Sequence, residues 1–472
     1  MLFSSTVFLY FFFPVVLIFN CIIFRKNRLL QNIFLLFASL IFYGWGEPFF
    51  VLIMISSITV NWLLSILLIN CQNNYKICRT ILITDIVLNI GLLFVFKYLS
   101  FTIETIDKLF GFRIPIPNIV LPIGISFFTF QAMSYVIDVY RKKGKAQSNI
   151  LNVGLYIAFF PQLIAGPIVR YETVYEQILN RKEGLDDLFS GFSRFVVGLS
   201  KKVLLANSFA IIADQSFGAI SNGERISVLF GWLGAIAYTL QIFYDFSGYS
   251  DMAIGLGRIF GFTFLENFNY PYVSKTITEF WRRWHISLGT WFRDYLYIPL
   301  GGNRCSKKRN IFNIFLVWLL TGIWHGANFT FILWGLMYFL LLIVEKFTDI
   351  DRINGTIANI FKRSYTIIFI IIGWVIFRSD SVFHAYLYIK SMLGLNNNEF
   401  VDSQFYGWFI QNIILLFIGV VFSTPLFKNY NEKNQNNNIY EIAKMIILSM
   451  LLLLSVASLV SNSYNPFIYF NF

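Results

Sequence analysis

Three histidines, His285, His325 and His384, are the side chains of this 472-residue chain best suited to moving a proton near neutral pH. Two of them fall in one stretch, residues 279–335, which reads EFWRRWHISLGTWFRDYLYIPLGGNR, then a basic loop, then TGIWHGANFTFILWG. His325 lies within an apolar run from Ile311 to Val344 that carries no Asp, Glu, Lys or Arg. An ionisable side chain there is costly to bury and marks a candidate site. On a helix, Thr321, Gly322 and Asn328 share its face, which sets two small hydrogen-bonding side chains beside a gap where a substrate could approach. The competing reading is a core histidine satisfied by Thr321 or by a neighbouring helix.

Read as one helix at about 100° per residue, the segment around His285 puts Trp281, Trp284, His285, Leu288, Trp291, Phe292 and Tyr295 on one face. Arg282, Arg283, Gly289, Thr290, Arg293 and Asp294 fall on the other. An aromatic stripe opposite a basic stripe is the pattern of a helix lying at a membrane surface. His285 is then either a polar spacer on the aromatic side or a second proton-handling group. Arg282, Arg283, Arg293, Arg304, Lys307, Lys308 and Arg309 form a cationic cluster around it. Such a cluster suits a phosphate-bearing donor arriving from the cytoplasm, although the same charges also hold a loop inside. A proton-transfer reaction with an anionic donor is the simplest enzyme that fits. His384, in the shorter amphipathic piece HAYLYIKSML, reads as a surface or interfacial histidine.

The elements that must position these groups are membrane helices. Residues are 57% hydrophobic and only 13% charged, against roughly 25% charged in ordinary globular chains. Hydrophobic runs at 2–24, 29–43, 49–70, 80–96, 119–139, 150–169, 226–262, 311–344, 364–377, 406–426 and 440–460 make about eleven crossings or partial crossings. The expected fold is therefore all-α and polytopic, with interfacial amphipathic helices added. The formal net charge of +12 sits in short loops between apolar runs, which indicates positive-inside bias and contact with acidic lipid rather than nucleic acid. Basic residues at 25–28, 76–79 and 141–145 place those loops in the cytoplasm and the N-terminus outside. The first run has no basic residue ahead of it and no small-residue cleavage site, so it reads as a retained helix. Cys21, Cys71, Cys78 and Cys305 show no metal-ligand spacing, and neither a zinc site nor a disulfide is expected.

Two segments carry more information than their hydropathy. Pro161 and Gly166-Pro167 interrupt the run at 150–169. Broken helix at membrane depth needs protein or a water-filled cavity around it, so this segment is either re-entrant or a kinked crossing. Further on, YDFSGYSDMAIGLG places Tyr244, Ser247 and Asp251 on one helical face, with Asp245 pointing elsewhere. Carboxylates six residues apart do not form an acid/base pair, so each is expected to be tied to an arginine or a helix end. The polar, glycine-rich face itself is expected to line the interior.

FWRRWHISLGTWFRDYLYIPLGGNR together with WHGANFTF resembles the signature region of the membrane-bound O-acyltransferase (MBOAT) family. FPQLIAGPIVR at 160–170, IFYDFSGYSDMAIGLGRIFGF at 242–262, WVIFR at 374–378 and the terminal PFIYFNF at 466–472 resemble its bacterial branch, which O-acetylates alginate and peptidoglycan. The resemblance runs nearly end to end, so the chain is expected to be one domain, 1–472, with its signature core at about 240–345. It implies a tunnel joining the two membrane faces and acyl transfer from a thioester to a hydroxyl. By motif position, His325 matches the family's catalytic histidine and His285 its second polar position. Asn328, Thr321, Trp281, Ser247 and Asp251 would line the tunnel, with Asn328 orienting His325. The chain departs from the family pattern at Thr321 and Phe329, where glycine and tryptophan are usual.

The implied donor is an acetyl thioester, carried by coenzyme A or an acyl carrier protein, with no tightly bound cofactor and no metal. The implied partners are an extracytoplasmic transferase, a cell-envelope polysaccharide and membrane lipid, at a bacterial inner membrane. D-alanyl transfer to teichoic acid is the related alternative, although IPLGGNR favours the acetylating branch. A secondary transporter would also use broken helices and midplane polar groups, but the sequence shows no internal repeat. A non-catalytic scaffold would function without His325.

Overall fold

A computed structural model describes all residues except 165, 351, 352, 354, 435, 436, 462, 463 and 469–472. In chain order the helices are α1 (Phe8–Ile23), α2 (Arg28–Gly44), α3 (Phe50–Asn70), α4 (Tyr75–Phe110), α5 (Ile125–Tyr140), α6 (Ile150–Ala158), α7 (Phe160–Leu163) and α8 (Tyr171–Asn180). They continue as α9 (Leu185–Ser221), α10 (Val228–Ile259), α11 (Ile277–Arg283), α12 (Ile286–Phe292), α13 (Lys307–His325) and α14 (Phe329–Thr348). The last five are α15 (Thr356–Arg378), α16 (Val382–Met392), α17 (Ser403–Phe422), α18 (Leu426–Asn434) and α19 (Asn438–Ser461). Among the described residues no strand occurs, and eight helices are long and apolar enough to cross a membrane: α3, α4, α9, α10, α14, α15, α17 and α19. The protein is thus all-α and multi-pass. The run at 311–344, counted as one crossing from hydropathy, is two helices separated at residues 326–328.

Contacts divide the chain into two compact units, Met1–Val196 with Tyr249–Leu265, and Val197–Gly248 with Glu266–Phe472. In the first, α6 and α7 are only nine and four residues long, with the break at Phe159, where ψ is 113°. Among the described residues no helix of spanning length occurs in 150–169, in keeping with the interruption read from Pro161. The segment is buried throughout residues 152–164, and Phe160 packs its ring into a cluster with Phe3, Phe12 and Phe42. Asp251 is held by Arg194 at 2.8 Å, as expected for a carboxylate tied to an arginine.

The second unit contains the latter part of a helix that the apolar runs read from the sequence leave out. Residues 170–202 carry both charge signs in abundance, yet α9 runs unbroken for 37 residues through Lys201 and Lys202. Lys202 is tolerated because its ammonium meets Asp245 of α10 at 2.7 Å, both side chains being at most 3% exposed. Asp245 is therefore tied to a lysine, not to an arginine. The pair also holds the C-terminal segment. Lys202 donates to the Pro466 carbonyl and Asp245 accepts from the Ile468 amide at 2.9 Å. Phe467 and Ile468 of the terminal PFIYFNF are buried; residues 469–472 lie outside the described residues.

α13 and α14 form a closely packed hairpin. A Cβ on Gly322 would sit 2.5 Å from the Phe331 carbonyl oxygen, and one on Gly335 would sit 2.5 Å from that of Trp318. Only glycine at both positions allows the two backbones this approach. The hairpin sets His325 at the C-terminal end of its helix, about 27 Å along the axis from Lys307 at the 1.5 Å rise per residue.

Candidate active site

The expected single helix around His285 does not form. α11 ends at Arg283, Trp284 is extended, and His285 itself has φ 44° and ψ 52° before α12 begins. A non-glycine residue in the left-handed region is uncommon and needs outside support. Asn267 supplies it. Its carbonyl accepts from the Ile286 amide at 3.0 Å, and its Oδ1 accepts from the Ser287 amide at 3.1 Å and the Ser287 hydroxyl at 2.9 Å. His285 Nδ1 lies 3.2 Å from the same Oδ1. The Ser287 backbone N–H can only donate, so the shared atom is an oxygen and Nδ1 must carry the imidazole proton. Nε2 is then the lone-pair nitrogen. Burial pushes the imidazole well below the ordinary histidine range, which keeps it neutral.

With the helix broken, the aromatic stripe turns inward instead of lying at a membrane surface. Trp284, Leu288, Trp291 and Phe292 are all at most 5% exposed, Trp281 and Tyr295 are half-buried, and His285 is packed edge-on to Phe246 at 4.6 Å between ring centroids. α11 is fixed by two caps. Thr276 is the N-cap: its hydroxyl accepts from the Glu279 amide, and Glu279 in turn accepts from the amide of Lys275, one residue before the cap. Buried Glu345 of α14 accepts from the Ile277 and Thr278 amides and the Thr278 hydroxyl at 2.6–2.8 Å. A carboxylate at a helix N-terminus is favourably placed against the helix dipole.

His325 is 8% exposed and boxed by the ring edges of Trp324, Trp334 and Phe377, each 5.1 Å away. Both histidines line one cavity of about 710 Å³. Thr321 and Trp281 line it too, and among the described residues the Trp281 indole N–H is buried without an acceptor. Three cations reach the cavity: Arg282, Arg293 and Lys346. Its lining runs from Asn303 and Lys346, near the start of α13 and the end of α14, to His325 at the opposite end of α13. Arg293 is clasped by Asp294 at 2.7 Å, a hydrogen bond that raises the guanidinium further.

Other expected positions fall elsewhere. Arg283 is paired with Glu279 at 2.8 Å, and Arg304, Lys307 and Lys308 are exposed and do not line the cavity. Asn328 does not orient His325. It caps α14 by accepting from the Thr330 amide and donates to the Asp380 carbonyl at 2.9 Å, because it lies past the helix end that sequence periodicity extended through it. Ser247 is buried on α10 but absent from the lining, and the α10 side chain at His285 is Phe246. Asp251 belongs to the first unit, where Arg194 holds it. Sequence reasoning missed Asn267, Ser287, Glu345 and Lys346. The only local signal was Thr276 three residues before Glu279.

A model of the membrane-bound O-acyltransferase family matches residues 48–388. The chain belongs to that family. As an MBOAT protein it is a membrane-bound O-acyltransferase, in keeping with the motif resemblance. It is 37% identical to the probable alginate O-acetylase of Pseudomonas putida across 100% of both chains. Against the peptidoglycan O-acetyltransferase of Helicobacter pylori it is 32% identical over 100% of this chain and 98% of that one. The teichoic acid D-alanyltransferase of Bacillus subtilis is 31% identical over 50% of this MBOAT chain and 61% of its own.

Proposed function

We propose that the protein moves an acetyl group from a cytoplasmic thioester, through the membrane, to hydroxyls of an extracytoplasmic cell-envelope polysaccharide, with a separate extracytoplasmic transferase as partner. The observation that carries this reading is the single cavity that has basic side chains near one end of α13 and both histidines along its course. The whole-length match to O-acetylating relatives supports acetyl over D-alanyl transfer, since the D-alanylating relative aligns over half the chain. Basic residues in the loop before α13 support a cytoplasmic donor end and an N-terminus outside.

His325 acts as general base on the acceptor hydroxyl, whose oxygen attacks the thioester carbonyl carbon. As the C–S bond breaks, the leaving thiolate takes the proton back from the imidazolium, giving an acetyl ester and a free thiol. Trp281 N–H is available to the carbonyl oxygen as negative charge develops on it. His285 has its Nδ1–H committed to Asn267, so Nε2 serves as a hydrogen-bond acceptor that orients a hydroxyl or thiol proton. Enclosing rings keep out water that would hydrolyse the thioester. The donor's phosphates, from coenzyme A or a carrier protein's phosphopantetheine, sit against Arg282, Arg293 and Lys346.

Kinetics on reconstituted vesicles, with donor supplied to one face at a time, test this. Activity is expected only from the face bearing the 301–310 loop. Arg282→Glu or Lys346→Glu should raise KM for the donor at least about tenfold with a smaller change in kcat. Arg304→Glu, Lys307→Glu and Lys308→Glu, being outside the cavity, should act weakly and lose their effect as salt rises. Equal activity from both faces would sink the donor route.

The tautomer carries its own test. Asn267→Leu removes the acceptor that pins Nδ1–H and should lower kcat more than about tenfold, by analogy with other proton-transfer sites in which the orienting group is lost. Asn267→Asp, which retains the oxygen, should recover part of that loss. A kcat unchanged in Asn267→Leu would remove His285 from the reaction.

A further inference from the structure

Phe377 packs edge-on against His325 at 5.1 Å between ring centroids, and directly after it the chain lines a second, smaller cavity. Arg378 and Asp380 enclose about 140 Å³ together with Asp214, Ser221 and His384. One side is aromatic, with Phe217 and Tyr388 stacked at 4.2 Å. Arg378 is matched by Asp214 at 2.8 Å, and the other Asp214 oxygen accepts from the Tyr464 hydroxyl. Asp380 accepts from the Ser221 hydroxyl at 2.7 Å. The Asp380 carbonyl is bound by Asn328, three residues past His325, which ties this cavity to the end of the catalytic helix.

Apart from the imidazole, the lining contains one guanidinium and two carboxylates, a net negative set. That charge disfavours both a polyanionic coenzyme and an acidic sugar. What it offers is hydrogen-bond acceptors beside an aromatic wall. The imidazole Nδ1 of His384 is buried and, among the described residues, makes no hydrogen bond. The residue as a whole is half-buried, where HAYLYIKSML predicts a surface or interfacial histidine. The volume matches about five waters at roughly 30 Å³ each, the bulk of one small polyol. Exposed Ser221 and Asp380 mark its mouth.

We propose that this cavity is the acceptor subsite, taking one uncharged, polyhydroxylated group such as a neutral sugar ring, whose hydroxyls donate to Asp380 and His384. Phe377 then separates the waiting acceptor from His325 and must yield for the hydroxyl to reach it. The role as acceptor subsite rests on His325 being the base, but occupancy does not. Equilibrium binding of methyl β-D-glucopyranoside to the purified, donor-free protein therefore tests it directly, with sodium glucuronate and N-acetylserinamide as comparators.

Saturable binding of the glucoside is expected, weakened about tenfold by His384→Ala and by Asp380→Asn at unchanged thermal midpoint, and retained in His325→Gln. Ser221→Ala, an exposed change of one hydroxyl, gives a smaller loss should either variant fold poorly. In turnover with acetyl thioester, the same variants should raise KM for the glucoside far more than they lower kcat. Absent glucoside binding, equal binding of glucuronate, tighter binding of N-acetylserinamide, or affinity indifferent to His384 and Asp380 would each overturn the proposal. Full thiol release by His325→Gln, with glucoside binding intact, would overturn the base assignment instead.

Discussion

His325→Ala should lower acetyl transfer by about 10²- to 10⁴-fold, the usual worth of positioned acid–base catalysis. The size of the effect follows from where the imidazole sits. It lines the large cavity, is 8% exposed, and is enclosed by Trp324, Trp334 and Phe377, so no bulk water can take over proton transfer at that point. Truncation to alanine also leaves a hole among the rings, and a loss of activity could then report packing. His325→Gln fills most of that volume without a base of useful pKa and should lose activity as severely while melting near wild type. His285→Ala should be impaired less, because its neutral ring orients a proton rather than accepting it outright. Transfer by His325→Gln within a few-fold of wild type would end the base-catalysis reading and favour a scaffold.

Lys202→Met should cost about 3–5 kcal/mol of stability, the penalty for leaving one partner of a buried ion pair uncompensated. Here the orphan is Asp245, whose side chain is 2% exposed. The change also removes the donor that holds the Pro466 carbonyl, so the C-terminal segment should become sensitive to protease. Lys202→Met combined with Asp245→Leu should recover most of the lost stability, because two apolar side chains of similar size leave no charge buried. The thermal midpoint in detergent, read across wild type, both single variants and the double variant, measures the coupling. A single variant as stable as wild type would mean that water reaches the pair and that α9 is not buried there.

Composition together with apolar runs near 20 residues long established that this is a helical membrane protein, since a barrel would show short alternating segments instead. Resemblance of its motifs pointed to the family, and His285 and His325 stood out because the residue types that handle protons are so rare here that few positions compete. The reading of apolar runs passed over α9, although it holds a stretch apolar enough to cross a membrane. Arg194, Lys201 and Lys202 lie in or beside it, and Asp251 and Asp245, the partners of Arg194 and Lys202, are some 57 and 43 residues away in sequence.

Periodicity failed at the site itself. It assumes an unbroken helix, and nothing local announces that His285 turns left-handed, because the groups that hold it there come from Asn267, 18 residues earlier. The same limit sent Asn328 toward His325, when the helix had ended at Gly326 and the side chain was needed as a cap. Which cations face the cavity was likewise a tertiary outcome. Arg304, Lys307 and Lys308 are nearest the motif in sequence, but Lys346 reaches the cavity because the glycine-paired hairpin brings the end of α14 back beside the start of α13. Local sequence therefore determined which residues could do chemistry; long-range packing decided which of them meet, since side-chain direction at a helix break depends on distant hydrogen bonds.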